Sequence, residues 1–535
     1  MGYNYPMRAQ RWALWVTAAV ALAWGWKAFW LGNQAFPFHA DEAVVGLMAR
    51  HILAGERPTF FYGQAYMGSL DAFLVAGGFA LAGVHVWVIR AVQALLYGGT
   101  IALSALLARE VWGDGRAAIA TALLLAVPTV NMTLYTTVSL GGYGEALLIG
   151  TALLLLALSR WGERPLGAAL WGLLAGLGLW AFGLTLVYAA SAGLYLLWRW
   201  RRQGRRQTFA LLGAAVVGGV IGAAPWWLYG LHHGWVALVR ELTGSAIAVE
   251  GSAWPARILR HTVYFLLLGL PVTLGLRPPW DVGLLVGPLA VLVAAVYAWG
   301  AMALWQVRRH LSATAWPLLG VALAVVGGFV FTSFGADPSG RYFLPLTQMA
   351  AVGLGGWLAR LRWRGRAVGW AVLGLLILFH AASTAQAAAN PYRLTTQFAP
   401  DARVHPDANA RLAAFLAAHG ETRGYTTYWA AYPLAFLSDE RLIFVPRLPY
   451  HEDLRYTPRD DRYPPYDALV AAAPRVAYAT LHRPPLEACL RRAFAAHGLT
   501  WQEATVSDYR VFYALSVPLA PETFLPACKE QTHGE

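Results

Sequence analysis

The sequence predicts an all-α polytopic membrane bundle of about 11 transmembrane helices plus interfacial helices, followed by a small C-terminal α/β extracytoplasmic domain. Three observations support this fold class. Of the 535 residues, 58% are hydrophobic and the mean hydropathy is +0.46, which is too apolar for a soluble enzyme. Between residues 10 and 390, charged side chains cluster in gaps between apolar segments. Many segments reach the roughly 18 to 20 residues that a spanning helix needs.

The net charge of +13 lies in the apolar part of the chain. Residues 391–535 carry 15 Lys and Arg against 16 Asp and Glu, whereas residues 1–390 carry 26 against 12. Excess arginine beside apolar segments is typical of cytoplasmic loops rather than of a nucleic-acid groove. We therefore expect no nucleic-acid partner.

Eleven segments are predicted to span the membrane: 11–32, 86–108, 116–130, 141–159, 165–182, 183–200, 208–230, 283–306, 312–334, 343–360 and 367–387. Two other apolar runs are doubtful. Residues 72–84 would form a helix of only about 20 Å, against a hydrocarbon core of about 30 Å. Residues 262–276 are also short and contain Pro271. We expect both runs to lie at the outer interface or to re-enter the membrane.

Eleven spans place the N-terminus in the cytoplasm and the C-terminal region outside a cell inner or plasma membrane. This orientation puts most arginine-rich gaps on the cytoplasmic side: Arg109/Arg116, Arg160/Arg164, Arg199 to Arg206, Arg308/Arg309 and Arg360/Arg362/Arg364/Arg366. The outer loops are then 33–85, 131–140, 231–282 and 335–342. Nine of the 12 acids before residue 391 lie on or near the outer face, so we expect any chemistry there.

The predicted domains are a membrane domain, 1–390, which includes the first outer loop 33–85, and a C-terminal α/β domain, 391–535. Predicted helices of the second domain are 408–419 and 485–497, and predicted strands are 424–428, 441–445, 475–481, 499–506 and 510–515. Residues 446–465 are predicted to be loop. We expect the C-terminal domain to be an accessory domain or a lid that faces the acceptor. Cys489 and Cys528 either form a disulfide in an exported domain or are unrelated small side chains.

Asp41 and Glu42 follow the first span and are the first catalytic candidates. Residues 41–56 have apolar side chains at the spacing of an amphipathic helix on the membrane surface. Asp41 could cap this helix, because its carboxylate could accept hydrogen bonds from the free backbone N–H groups of the first turn. It could also serve as a general base at the lipid–water boundary. The two roles are compatible.

The segment 60–71 combines aromatic, hydroxyl and amide side chains, as sugar binding requires. Its candidate substrate-binding residues are Tyr62, Gln64, Tyr66 and Asp71. An aromatic belt at the membrane interface is the alternative interpretation.

Arg341 is the basic residue of the outer loop 335–342, beside Tyr342. An arginine at headgroup depth suits a phosphate, although it could instead pair with Asp337 or extend towards the interface. Glu145 could contact substrate or favour a helix N-terminus. His39 could contact substrate or hydrogen-bond within the loop.

Three short motifs resemble those of the family 39-like bacterial glycosyltransferases in the GT-C class, which includes protein O-mannosyltransferases and aminoarabinose transferases. The motifs are Asp41-Glu42-Ala43, Phe61-Tyr62-Gly63-Gln64 and Gly340-Arg341-Tyr342. The resemblance covers about residues 10–390. The tail segment 424–429 is also similar, less specifically.

The resemblance implies that a hexose or pentose is transferred, with inversion, from a polyprenyl-phosphate donor to a lipid, glycan or protein acceptor. Membrane lipids are further expected partners. Asp41 and Glu42 would be catalytic, and Arg341 would stabilise the departing phosphate. One arginine can stabilise a monophosphate leaving group, so a metal is not obligatory; a divalent cation remains an alternative, and the cofactor is left open. A flippase of lipid-linked sugars is the main alternative, and a non-catalytic scaffold is another.

Overall fold

The computed structural model describes residues 5–244, 253–306, 308, 312–361, 367–450, 454, 456–481, 483–526 and 528. The predicted cytoplasmic residues Arg309, Arg362, Arg364 and Arg366 lie outside this set. The described chain is mostly helical, and it forms two compact units. The first unit contains residues 1–33, 66–71 and 90–389, and the second contains residues 34–65, 72–89 and 390–535.

The first unit is a bundle of mostly apolar helices. They are α1 (Tyr5–Gly32), most of α4 (Val86–Trp112), α5 (Gly115–Ala126), α6 (Val130–Tyr135), α7 (Tyr143–Leu158), α8 (Pro165–Ala181), α9 (Leu186–Arg201), α10 (Arg205–Gly222), α11 (Ala224–His233), α12 (Trp235–Gly244), α13 (Trp254–Tyr264), α14 (Leu270–Thr273), α15 (Gly287–Gln306), α16 (Trp316–Phe331), α17 (Leu344–Arg360) and α18 (Ala367–Ala388).

Each predicted span contains a helix or, for 208–230, the pair α10 and α11, which bends by 59°. In the described residues, five helices are long and apolar enough to cross a membrane, or six if the bent pair is one span. These helices make the chain a multi-pass membrane protein. The doubtful run 262–276 is broken, because α13 is followed by a π-helical turn, Phe265–Gly269, and by the short α14.

Helices α8 and α10 pack with their backbones in close contact. Gly172 and Gly176 on α8 face backbone atoms of α10, and Gly218 and Gly222 on α10 face backbone atoms of α8. A Cβ atom at any of these four positions would collide with the other helix. Small residues allow such packing in membranes, where water does not drive helices together.

The second unit joins most of the predicted first outer loop to the C-terminal region. Its helices are α2 (Ala40–Leu53), most of α3 (Leu70–Ala82), α19 (Ala408–Ala418), α20 (Tyr428–Leu437), α21 (Pro465–Ala471) and α22 (Pro484–Ala496). Two short strands, β1 (Phe60–Phe61) and β2 (Gln64–Gly68), form a small sheet in the loop.

A five-stranded sheet contains β3 (Arg423–Thr426), β4 (Ile443–Val445), β5 (Ala477–Leu481), β6 (Gln502–Val506) and β7 (Tyr509–Tyr513). The strand order is β4-β3-β5-β7-β6, with β3 parallel to β4 and β5 and with β7 antiparallel to β5 and β6. Leu412, Leu434, Phe444 and Val511 lie in its core. The predicted α/β character of the tail is confirmed, and Cys489 and Cys528 are disulfide-bonded.

Two sequence predictions in this unit were wrong. Residues 41–56 do not present a hydrophobic face to a membrane surface, because α2 is buried on almost every side and packs against α20. At Gly46 the two helices approach so closely that a Cβ atom would collide with Phe436. Tyr428, predicted at the end of a strand, begins α20 instead.

Candidate functional site

The N-terminus of α2 is capped by His39 rather than by Asp41. His39 has an extended backbone, and its Nδ1 atom accepts a hydrogen bond of 3.4 Å from the Glu42 amide. Asp41 is therefore the second residue of the helix and is not used as its cap. Of the acidic pair, Asp41 is partly exposed, whereas Glu42 is fully buried. Asp41 is the member that solvent can reach.

The Asp41 carboxylate has a partner from the C-terminal region. The Tyr428 hydroxyl, at the start of α20, donates a short hydrogen bond to Asp41 Oδ1. Burial, together with the Asp41 charge, raises the pKa of Tyr428 well above its usual value, so the phenol keeps its proton and remains a donor. This bond fixes one carboxylate oxygen.

The loop around Asp460 supplies further charges beside Tyr428. The Arg462 guanidinium lies 5.2 Å from the centre of the Tyr428 ring. The Tyr432 hydroxyl holds this loop in place through two hydrogen bonds. It accepts one from the Arg462 amide and donates one to the Asp460 carbonyl at 3.0 Å. Burial and the charge of Asp41 raise the pKa of Asp460 to about 7, although Arg462 and Arg459 lower it. Asp460 is therefore a carboxyl group that is only partly ionised near neutral pH.

Tyr62 belongs to a separate polar network in the same unit. Its hydroxyl donates to Glu56 Oε2 at 2.7 Å and lies 3.0 Å from His51 Nδ1. His51 Nε2 is 3.0 Å from Glu440 Oε1, which links α2 to the C-terminal region. The Tyr463 hydroxyl donates to the other oxygen of Glu56 at 2.7 Å. Tyr62 thus holds the first outer loop together, and Gln64 lies half-buried in β2.

In the first unit, Arg341 lies in an acidic and aromatic environment. Its Nε atom is 2.6 Å from Asp337 Oδ2, so the pairing considered from the sequence is formed. Gly340 has a φ of +89°, a left-handed conformation that turns the loop before Arg341. The guanidinium is 5.1 Å from the Tyr342 ring. Tyr143 lies 6.5 Å from Tyr342, measured between ring centres.

Tyr66 extends the same aromatic cluster through shared neighbours. Its ring centre is 6.1 Å from Phe182 and 6.5 Å from Phe334. Phe182 also contacts Tyr143 at 4.7 Å, and Phe334 contacts Tyr342 at 5.0 Å. Tyr66, which lies more than 270 residues before Arg341 and Tyr342 in the chain, therefore belongs to the same cluster as these two residues.

Asp71 and Glu145 meet in the interior of the first unit. Each is only 2% exposed. Asp71 accepts hydrogen bonds from Ser139, from Gln93 Nε2 at 2.8 Å and from the Gly142 amide, and it shares another with Glu145. Asp71 thereby holds the turn that precedes Tyr143. Both acids are therefore buried and do not lie on an accessible surface.

Sequence reasoning missed the contributions of Tyr428, Asp460 and Arg462. The segment 424–429 had been noticed for its similarity to related tails, which was the available signal for Tyr428. Asp460 and Arg462 fall in the segment 446–465, which was predicted to be loop. The C-terminal region was expected to be accessory, yet it supplies the partner of Asp41.

Comparisons with known proteins concern the fold of the chain. Residues 69–229, under a third of the chain, match the family model described as dolichyl-phosphate-mannose-protein mannosyltransferase. Two crystal structures of ArnT from Cupriavidus metallidurans, one bound to undecaprenyl phosphate and one in the apo state, superpose with TM-scores of 0.59 and 0.58. The identities are 15% and 16%, and each match covers 94% of this chain and 98% of ArnT.

The chain has the GT-C glycosyltransferase fold. The resemblance found in the sequence is therefore confirmed for the GT-C fold. The oligosaccharyltransferase of Archaeoglobus fulgidus also matches, at 14% identity and a TM-score of 0.47, over 87% of this chain and 67% of that one. No curated protein matches the sequence.

Proposed function

We propose that this GT-C protein is an inverting glycosyltransferase that moves a sugar from a polyprenyl-phosphate donor to a hydroxyl acceptor at the outer face of the membrane. The observation that carries the proposal is the Asp41 carboxylate, which is partly exposed and is held by Tyr428. ArnT, whose fold the chain shares, is described as binding undecaprenyl phosphate. The similarity favours sugar transfer over the flippase alternative.

In this mechanism, Asp41 accepts the proton of the acceptor hydroxyl as the oxygen attacks the anomeric carbon. The new C–O bond forms on the face opposite the donor phosphate, so the configuration inverts. The bond between the anomeric carbon and the phosphate oxygen breaks, and polyprenyl phosphate leaves with the electron pair. Tyr428 is a positioning residue, because its hydrogen bond leaves the second Asp41 oxygen to receive the proton.

Arg341 is proposed to stabilise the charge that develops on the departing phosphate. Its guanidinium is already oriented by Asp337, 2.6 Å away, and by the Tyr342 ring. A phosphate can share such a guanidinium through charge-assisted hydrogen bonds. Tyr66 and Tyr342 offer ring faces for the sugar or for the first isoprene units. Asp71 and Glu145 are proposed to support Tyr143 from behind, since both are buried.

We further propose a membrane topology of eleven spans, with a cytoplasmic N-terminus and an extracytoplasmic C-terminal domain. The Cys489–Cys528 disulfide supports an exported C-terminal region, because structural disulfides persist in oxidising compartments. The proposed partners are a polyprenyl-phosphate-linked hexose or pentose and a lipid, glycan or protein acceptor.

In the test, the purified protein is reconstituted into proteoliposomes and supplied with a panel of radiolabelled polyprenyl-phosphate sugars. Each donor is tested with and without mixed glycolipid acceptors. A transferase releases polyprenyl phosphate in proportion to the glycosylated product. A flippase moves labelled donor between leaflets and leaves the glycosyl phosphate bond intact. Translocation without bond cleavage for every donor would contradict the proposal.

A further inference from the structure

An arginine-lined cleft opens at one end of the first unit. It has a volume of about 540 Å³ and is lined by Arg160, Arg164, Arg199 and Arg202, with Glu163 and Trp198. The loops before α8 and after α9 supply most of this lining. The two loops meet because Arg199 binds Glu163 at 2.7 Å and the Trp200 indole donates to the Gly162 carbonyl at 2.8 Å.

The arginines of the cleft divide into two pairs. Arg199 is engaged by the protein, since it donates to the Ala157 and Ser159 carbonyls at 2.7 and 2.8 Å. Arg202 stacks 3.9 Å from the Trp198 ring. The side chains of Arg160 and Arg164 are exposed. One glutamate opposes four arginines in this lining, so the cleft is suited to an anion.

An apolar groove of about 470 Å³ adjoins the cleft and shares Trp198 with it. It runs between α9 and α16, where Leu194, Tyr195 and Trp316 line it. At Gly320 the two helices are in contact, because a Cβ atom there would collide with Ser191. Leu194 and Trp316 are 71% and 63% exposed, so the groove is open to the lipid phase.

We propose that the cleft and the groove together bind one anionic phospholipid of the cytoplasmic leaflet. The headgroup phosphate would lie between Arg160 and Arg164, and an acyl chain would follow Trp198 into the groove. A lipid fits this site better than a free anion does, because the apolar groove that continues from the positively charged cleft can hold an acyl chain. Both loops are among those that the arginine pattern assigns to the cytoplasm. Neither Asp41 nor Arg341 lines the cleft or the groove, and this proposal does not depend on the proposed transfer reaction.

The experiment titrates delipidated protein with phosphatidylglycerol and with phosphatidylcholine and counts bound lipids by native mass spectrometry. We expect phosphatidylglycerol to bind preferentially. Each surface arginine contributes about fivefold to such binding, so Arg160→Gln with Arg164→Gln should weaken it about 25-fold. The matched control, Arg205→Gln with Arg206→Gln, removes two exposed arginines outside the cleft and should bind like the wild type.

A second variant tests the groove. Ala324→Trp fills its lining and should weaken binding of long-chain phosphatidylglycerol while leaving the dihexanoyl form unaffected. Equal binding of the two lipids, or an unchanged affinity in the Arg160/Arg164 variant, would overturn the proposal. It would also be overturned if glycerol phosphate bound as tightly as the lipid, or if polyprenyl phosphate displaced phosphatidylglycerol at equal concentration.

Discussion

Tyr428 donates a hydrogen bond to Asp41, although 387 positions separate the two residues in the chain. The second unit folds the first outer loop and the C-terminal region together, which brings the start of α20 to the first turn of α2. A carboxylate that sequence analysis assigned to a membrane loop is thus oriented by a residue of the terminal domain.

Tyr428→Phe removes the phenol donor and keeps the aromatic ring. A hydrogen bond to a charged group contributes about 1.5–3 kcal/mol, so we expect kcat to fall about 10- to 100-fold with little change in KM. Steady-state transfer kinetics measure the effect. Tyr513→Phe, which removes a hydroxyl from β7 of the same unit, serves as the control. Unchanged kcat in Tyr428→Phe would show that Asp41 does not require this positioning.

Asp460→Asn tests the buried carboxyl group near Asp41. The pKa of Asp460 is raised to about 7 in the folded protein, whereas an unfolded aspartate has a pKa of about 4. The stability that protonated Asp460 contributes is therefore fully present below pH 4. It is lost as the pH rises through 7. The variant should match the wild type at pH 4 and be more stable at pH 8, by at most about 4 kcal/mol. Thermal unfolding between pH 4 and 8 measures the difference. Parallel pH profiles for the two proteins would refute the raised pKa.

Gly172→Val should disrupt the packing of α8 against α10. The added side chain meets the α10 backbone, and such overpacking costs about 1–3 kcal/mol or more. Gly213→Val on α10 is the matched control, because Gly213 is exposed and has open space at its Cβ position. Detergent thermostability distinguishes the variants. A Gly172→Val protein as stable as the control would contradict the close approach.

The disulfide predicts that Cys489 and Cys528 are protected from thiol reagents. Denatured, non-reduced protein should take up no maleimide, and reduced protein should take up two. Replacing both cysteines with serine should destabilise the C-terminal region by about 2–4 kcal/mol, since a long loop is no longer closed. Two reactive thiols before reduction would contradict the bond.

Single-cysteine labelling tests the proposed topology. Ala54→Cys lies in the first outer loop, and Gln203→Cys lies in an arginine-rich loop, and both positions are exposed. A membrane-impermeant maleimide applied to intact spheroplasts should label the first and spare the second. Reversed labelling would place Asp41 on the cytoplasmic side and refute the proposed site.

The sequence predicted the helices well because apolar length is a strong local signal. All eleven predicted spans contain helices, and each predicted strand of the tail overlaps an observed strand. The helix α20 was missed because it contains Pro433 and aromatic residues typical of strands. Its packing against α2 provides the stabilisation that local propensity does not.

The candidate site could be predicted only in part. Asp41 and Arg341 were identified from their positions beside spans, but their partners depend on contacts between distant segments. The cap at His39 was not anticipated, because aspartate is the more common capping residue. The burial of Asp71 and Glu145 likewise depends on three helices and a turn that meet only in the folded chain.

The most direct test of the proposed mechanism is sugar transfer by Asp41→Asn in proteoliposomes. The amide has the size of the carboxylate and can still accept the hydrogen bond from the Tyr428 hydroxyl, but it cannot take up the proton of the acceptor. We predict that transfer falls by about 10²- to 10⁴-fold, while Asp407→Asn, at an exposed position of the same unit, keeps full activity. Undiminished transfer by Asp41→Asn would contradict the assignment of Asp41 as the general base.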